Sequence, residues 1–116
     1  MKTIAIPIFG SRISNRLDSS ENVLLVAIED GAIKKRESYY WALANPLEKI
    51  DMLRQFGVDV LICDGITEFC SNQLANNPIQ VIPWVSGETE EVLAHYLEGT
   101  FSNKILMDEG EQNDNP

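Results

Sequence analysis

Histidine occurs once and cysteine twice in this chain of 116 residues. With His95 as the single imidazole, Ser-His-Asp or Cys-His catalysis has one residue to assemble around, and a zinc site of four protein ligands would have to draw on carboxylates. Cys63 and Cys70, with six residues between them, match no zinc spacing. Their apolar surroundings suit reduced thiols in a cytosol better than an extracellular disulfide framework. Neither Gly-x-Gly-x-x-Gly nor Gly-x-x-x-x-Gly-Lys-Ser/Thr is present, so both nucleotide fingerprints are missing. No stretch of about eighteen apolar residues occurs, and the start, Met1-Lys2-Thr3-Ile4-Ala5-Ile6-Pro7, lacks a long apolar signal region. A cytoplasmic location without membrane contact is expected. Positive charge is scarce too: nine Lys and Arg stand against eighteen Asp and Glu, a formal charge of −9. Phosphate backbones would be repelled and the cations are scattered, so nucleic acid is not an expected partner.

The 44% of apolar residues fall in periodic segments, the pattern of one globular domain able to bury a core without metal or disulfide staples. Residues 3–9 form a buried first strand, and a polar loop runs from Gly10 to Glu21. Asn22 to Ile28 is the second strand. Asp30-Gly31 predicts a tight hairpin, because both residues tolerate positive φ, so Ala32 to Trp41 runs antiparallel to the second strand. Asn45-Pro46-Leu47-Glu48 carries an N-cap, a first-turn proline and a capping box, and Gly57 supplies the stop. Between them Leu47, Ile50, Leu53 and Phe56 recur at helical spacing. Val58 to Cys63 is a fourth strand, Thr67 to Asn76 a second helix, Ile79 to Pro83 a fifth strand. A third helix opens at Ser86 to Glu90, with acidic residues that suit its dipole, and ends at Gly99. Residues 1–100 are read as one domain, and 101–116, closing in Asp108 to Pro116, as an acidic disordered tail.

The order β-β-β-α-β-α-β-α with right-handed crossovers predicts an α/β fold, a mixed five-stranded sheet between helical layers in the order 3-2-1-4-5, with strand two antiparallel. Ligands of open sheets bind beyond the carboxyl ends of strands where the chain leaves in opposite directions, here between strands one and four. That point is flanked by Gly10 to Asp18, which holds Arg12, Ser14 and Arg16, and by Cys63, Asp64 and Gly65 before a helix amino terminus. Arginines and free N–H groups favour a small or cluster-like anion, and the alternative is an ordinary solvated connection. Cys63 ends strand four, where the helix terminus could lower its pKa. Cys70 shares a face with Ile66 and Leu74 and reads as core. His95 is turned away from the stripe of Val92, Leu93, Tyr96 and Leu97 and is expected at the surface. Trp41 and Trp84 read as cover at strand ends. Asp18, Asp64 and Glu68 could converge on a cation.

These segments form one ordered series. It runs from Ile4-Ala5-Ile6-Pro7 through Arg12-Ile13-Ser14 and Gly57-Val58-Asp59-Val60-Leu61-Ile62-Cys63-Asp64-Gly65-Ile66 to Val81-Ile82-Pro83-Trp84-Val85-Ser86-Gly87, and then Glu90, Glu91, Val92, Tyr96 and Gly99. In this order and spacing it resembles the dinitrogenase iron-molybdenum cofactor biosynthesis family over about residues 2–100. The resemblance implies a three-layer, ribonuclease-H-like fold. It also implies a binding or carrier role for iron-molybdenum cofactor precursors or other metal-sulfur clusters. A protein acceptor of the cluster and no catalysis are the accompanying expectations. Cofactor-carrying members often place His-Phe-Gly after the first loop, where this chain has Arg16-Leu17-Asp18, so ligation through that histidine is not available. An iron-sulfur or molybdenum-containing cluster, or no cofactor, is therefore the expectation, with Arg12, Ser14, Arg16, Cys63, Asp64 and Gly65 lining the site. The alternative is a cofactor-free interaction or regulatory module. A nuclease is not expected, because the first strand carries no carboxylate for metal.

Overall fold

The structure, a computed structural model, describes residues 1–99; the expected acidic tail lies outside the described residues. Six strands and three helices follow one another as β1 (Lys2–Phe9), β2 (Arg12–Ile13), β3 (Asn22–Glu29), β4 (Ala32–Tyr40), α1 (Pro46–Gln55), β5 (Val60–Ile62), α2 (Glu68–Leu74), β6 (Gln80–Ile82) and α3 (Thr89–Glu98). The main path across the sheet is β4-β3-β1-β5-β6, and β2 pairs with β1. The expected five strands take their expected places, with one difference of detail. A sixth, two-residue strand is present, and it runs antiparallel to β1, so β3 is not the only reversed strand. Two residues have no period to detect.

The local signals act as their chemistry dictates. Asp30 and Gly31 hold φ of 55° and 77°, the positive values that turn β3 back along β4. Asn45 accepts from the Glu48 N–H at 2.8 Å while the Glu48 side chain accepts from the Asn45 N–H at 2.9 Å, closing the capping box of α1. α2 is shorter than its expected span and is capped by Thr67.

Alternation along β1 sends Ile4 and Ile6 to one face and Ala5 to the other. The first face packs on Val92 and Leu93 of α3, and the second on Ile50 and Leu53 of α1 with Cys70 and Leu74 of α2. The result is three layers, α/β/α. Each fully buried Leu or Ile here contributes roughly 1.5–3 kcal/mol. Arg36 of β4 forms a two-pronged ion pair with Glu90 of α3, its Nη2 standing 2.9 Å from Oε1, and so ties α3 across the sheet edge.

Pro7 sits in a central strand, where a missing N–H usually breaks a ladder. Parallel pairing with β5 ends at Ala5, so no ladder bond is required of Pro7 there. Its carbonyl instead accepts from the Ser14 N–H at 2.9 Å. A strand has two edges, and β3 occupies one of them as far as Ile8; β2 therefore fills the edge that β5 leaves. This is the switch point, opened where β1 and β5 part.

Candidate functional site

The loop after β1 is secured on both sides. Gly10 takes φ of 63°, which permits the tight return into β2. On one flank the Ile13 N–H donates to Gly87 O at 3.0 Å, the Thr89 N–H to Ser11 O at 2.9 Å and the Ser11 hydroxyl to Glu88 Oε1 at 2.9 Å. On the other flank the Gly65 N–H donates to Asn15 O at 2.8 Å and the Leu17 N–H to Gly65 O at 2.9 Å. A Cβ on residue 65 would stand 2.8 Å from Asn15 O, so only glycine allows the two loops this approach.

Between these anchors lies an open cleft of about 580 Å³, walled by Phe9, Arg12, Ile13, Ser14, Asn15, Arg16 and Ser19. It unites three of the residues expected from the sequence: Arg12, Ser14 and Arg16. The other three belong to its surroundings rather than its wall. Asp64 is half-buried, burial raises its carboxyl above the usual range, and its carbonyl accepts from the Trp84 N–H at 3.0 Å. Gly65 spends its N–H on Asn15, so it is not free for an anion, a correction to the expected role of that backbone.

Cys63 is wholly buried in the core facing α1 and α2. Burial first, then the charges of Asp64 and Cys70, push its thiol up to about 12. The expected lowering by a helix terminus is thus reversed, since desolvation of the thiolate outweighs any dipole. Nor is that terminus open: α2 has seven residues, and its Cys70 N–H is taken by Thr67 Oγ1 at 3.1 Å.

The two arginines differ in state. Arg16 forks onto Asp18, with Nε 3.0 Å from Oδ1 and Nη2 2.8 Å from Oδ2, and that hydrogen bond and charge hold its pKa above the ordinary value. Arg12 is exposed and forms no ion pair among the described residues. The cleft therefore presents one uncompensated guanidinium, one neutralised by its neighbour, and hydroxyl and amide groups.

Other expectations are revised. Among the described residues no three His, Cys, Asp or Glu side chains gather to hold a metal ion, so Asp18, Asp64 and Glu68 do not converge. Asp18 faces Arg16 instead. His95 is half-buried rather than exposed. Trp41 is buried, as expected for cover, whereas Trp84 is 57% exposed and holds φ of 65°, a strained value outside glycine. Among the described residues no helix is long and apolar enough to cross a membrane.

Asn15 and Ser19 in the cleft wall were not singled out from the sequence, because a polar loop has no periodicity to rank its members, and Phe9, read as part of the buried first strand, is its exposed last residue. Lys49, buried beneath the loop, was also passed over. Its spacing to Leu53 and Phe56, i to i+4 and i+7, is the signal that places it on the inner stripe of α1.

Comparison with curated proteins returns no match. Among solved structures the fold is similar to that of PH0822, with a TM-score of 0.77 and 20% identity over 84% of this chain and 91% of that one. It is also similar to MJ0327 of Methanocaldococcus jannaschii, provisionally named a dinitrogenase, with a TM-score of 0.70 and 19% identity over 84% of this chain and 89% of that one. A Thermotoga protein, TM1290, provisionally named a NifB protein, aligns with a TM-score of 0.68 and 21% identity over 86% of this chain and 90% of that one. At such identities these likenesses speak for the fold alone. The sequence profile of the dinitrogenase iron-molybdenum cofactor family matches residues 1–99, and the chain belongs to that family.

Proposed function

We propose that this protein binds or carries an anionic metal-sulfur cluster, or a similar small anion, in the cleft walled by the end of β1 and the loop that follows it, and that it catalyses no reaction. The observation that carries the reading is the pairing of Arg12, which has no carboxylate partner among the described residues, with a roomy cleft at the switch point of the sheet. Membership of the family gives the guest its chemistry, since iron-molybdenum clusters and their precursors are anionic. The cluster is cargo, received and passed to a protein acceptor in the cytoplasm. The ribonuclease-H-like classification belongs to the same reading and is supported by the three layers and mixed sheet.

The cleft's own groups perform the binding. Arg12 attracts the anion, the hydroxyls of Ser14 and Ser19 and the amide of Asn15 offer hydrogen bonds, and the Phe9 ring, 69% exposed, offers an apolar wall. Cys63 takes part only if it reaches the surface as a thiolate, which its burial opposes. One observation favours the alternative of a cofactor-free interaction module. Phe9 and Trp84 are large exposed aromatics on the segments that flank the switch point, the residue types that anchor protein interfaces.

Anaerobic titration with tetrathiomolybdate tests the reading. Arg12→Ala should weaken binding by roughly tenfold at low salt, and by less at high salt, because screening shortens the reach of an exposed charge to about 3 Å at 1 M. Binding that is indifferent to Arg12→Ala would move the site elsewhere, and no binding by the parent would favour the interaction module.

A further inference from the structure

Lys49 of α1 is 2% exposed, a rare setting for an ammonium group. Its Nζ donates to the carbonyl oxygens of Asp18 at 2.9 Å and Ser20 at 2.7 Å, and stands 5.5 Å from the centre of the Trp41 ring. Trp41 in turn donates its indole N–H to Ser20 Oγ at 3.0 Å, and that hydroxyl donates to Leu17 O at 2.7 Å. Every bond of this network ends on residues 17–20, the segment that leaves the cleft. A methionine of similar length would fill the same space without the desolvation of a charge. What it could not supply is the double hydrogen bond to a loop that has no ladder of its own.

One of those carbonyls belongs to Asp18, and the carboxylate of Asp18 grips Nε and Nη2 of Arg16 at the cleft wall. The contacts therefore run in series from the α1 side of the sheet into the cleft: Lys49 to the Asp18 backbone, the Asp18 side chain to Arg16. Arg16 Nη1 is the arm of the fork that Asp18 does not engage.

We propose that Lys49 is a positioning residue for the anion cleft: by holding the carbonyls of Asp18 and Ser20 it fixes the carboxylate that orients Arg16, leaving Nη1 for the guest. The inference rests on the cleft being the anion site. It adds a buried residue, remote from the cleft wall, on which the affinity of that site depends.

The test is a double-mutant cycle on the full chain, read by anaerobic titration with tetrathiomolybdate. Lys49→Met should weaken binding roughly three- to tenfold, and the loss should shrink below about twofold in an Asp18→Asn background while keeping its full size in an Arg12→Ala background. The cycle reads the coupling whatever the sign of the Asp18→Asn effect itself. A merely structural role predicts equal losses in both backgrounds, and that result, or unchanged affinity, overturns the proposal while the cleft reading stands. Should Lys49→Met fail to fold, Lys49→Gln, which keeps a donor for one of the two carbonyls, is judged by the same coupling. If the parent binds no tetrathiomolybdate, the cleft reading falls and the guest falls with it, and what is left of the proposal, that Lys49 orients Arg16 through Asp18, is judged by NMR of the Arg16 Nε–H. That proton, bonded to Asp18 in the parent, should shift and exchange faster in Lys49→Met, and an unchanged resonance overturns the proposal.

Discussion

Replacing Cys63 by alanine should change how stability responds to alkali. In the folded chain the thiol has no solvent exposure, and burial, followed by the charges of Asp64 and Cys70, raises its pKa from 9.0 to about 12. The unfolded chain therefore gives up this proton at 9.0 while the folded chain keeps it until about 12. The unfolded state binds fewer protons in that window, so stability falls as pH rises through it and is untouched below it. Each pH unit is worth about 1.4 kcal/mol, so moving from pH 8 to about 10.5 should remove about 2 kcal/mol through this one thiol, and the whole window about 4 kcal/mol. Alanine leaves a small cavity whose cost is independent of pH, and the other residues that titrate in alkali are common to both chains, so the difference between the two pH profiles reports Cys63 together with its charge coupling to Cys70. Urea unfolding under reducing conditions at the two pH values supplies the measurement. The same burial predicts that at pH 8 only about one native molecule in ten thousand carries a Cys63 thiolate, so Ellman's reagent should label it far more slowly than a free thiol. Superimposable pH profiles of parent and Cys63→Ala, or rapid labelling of the folded protein, would refute the reasoning and return Cys63 to the list of accessible ligands.

Gly65→Ala should cost about 1–3 kcal/mol, because the new Cβ meets a backbone carbonyl that cannot withdraw without breaking the stitch to Asn15. A fall of roughly 5–15 °C in melting temperature, accompanied by weaker tetrathiomolybdate binding, checks it. Trp84→Gly should raise stability by about 0.5–1 kcal/mol, since glycine accepts φ of 65° without strain and the indole is already more than half exposed; chemical denaturation decides the sign. Asn45→Ala removes the acceptor of the Glu48 N–H and should cost about 1 kcal/mol, read as a lower urea midpoint at unchanged slope.

What was legible in the sequence was local. Asn45-Pro46 with Glu48, Asp30-Gly31 and the alternation of Thr3 to Phe9 each encode their conformation within a few residues, through a cap, a pair of positive φ angles and a pleat of period two. The strand order followed from hairpin pairing and right-handed crossovers, so the switch point could be located, and Arg12, Ser14 and Arg16 could be named, before any contact was known.

Only tertiary structure decided what those residues meet. The carbonyls that Lys49 holds lie 31 and 29 residues back in the chain, and the loops joined at Gly65 and Asn15 come from opposite sides of three strands and one helix. Whether Arg16 is bare or forked onto Asp18, and whether Cys63 is a ligand or a core residue, turns on burial and on distances of 3 Å or less between groups that no spacing rule relates. Local backbone preference is short-ranged and survives in a linear reading, whereas desolvation and pairing depend on which distant groups the fold places alongside, and these set the chemistry of the cleft.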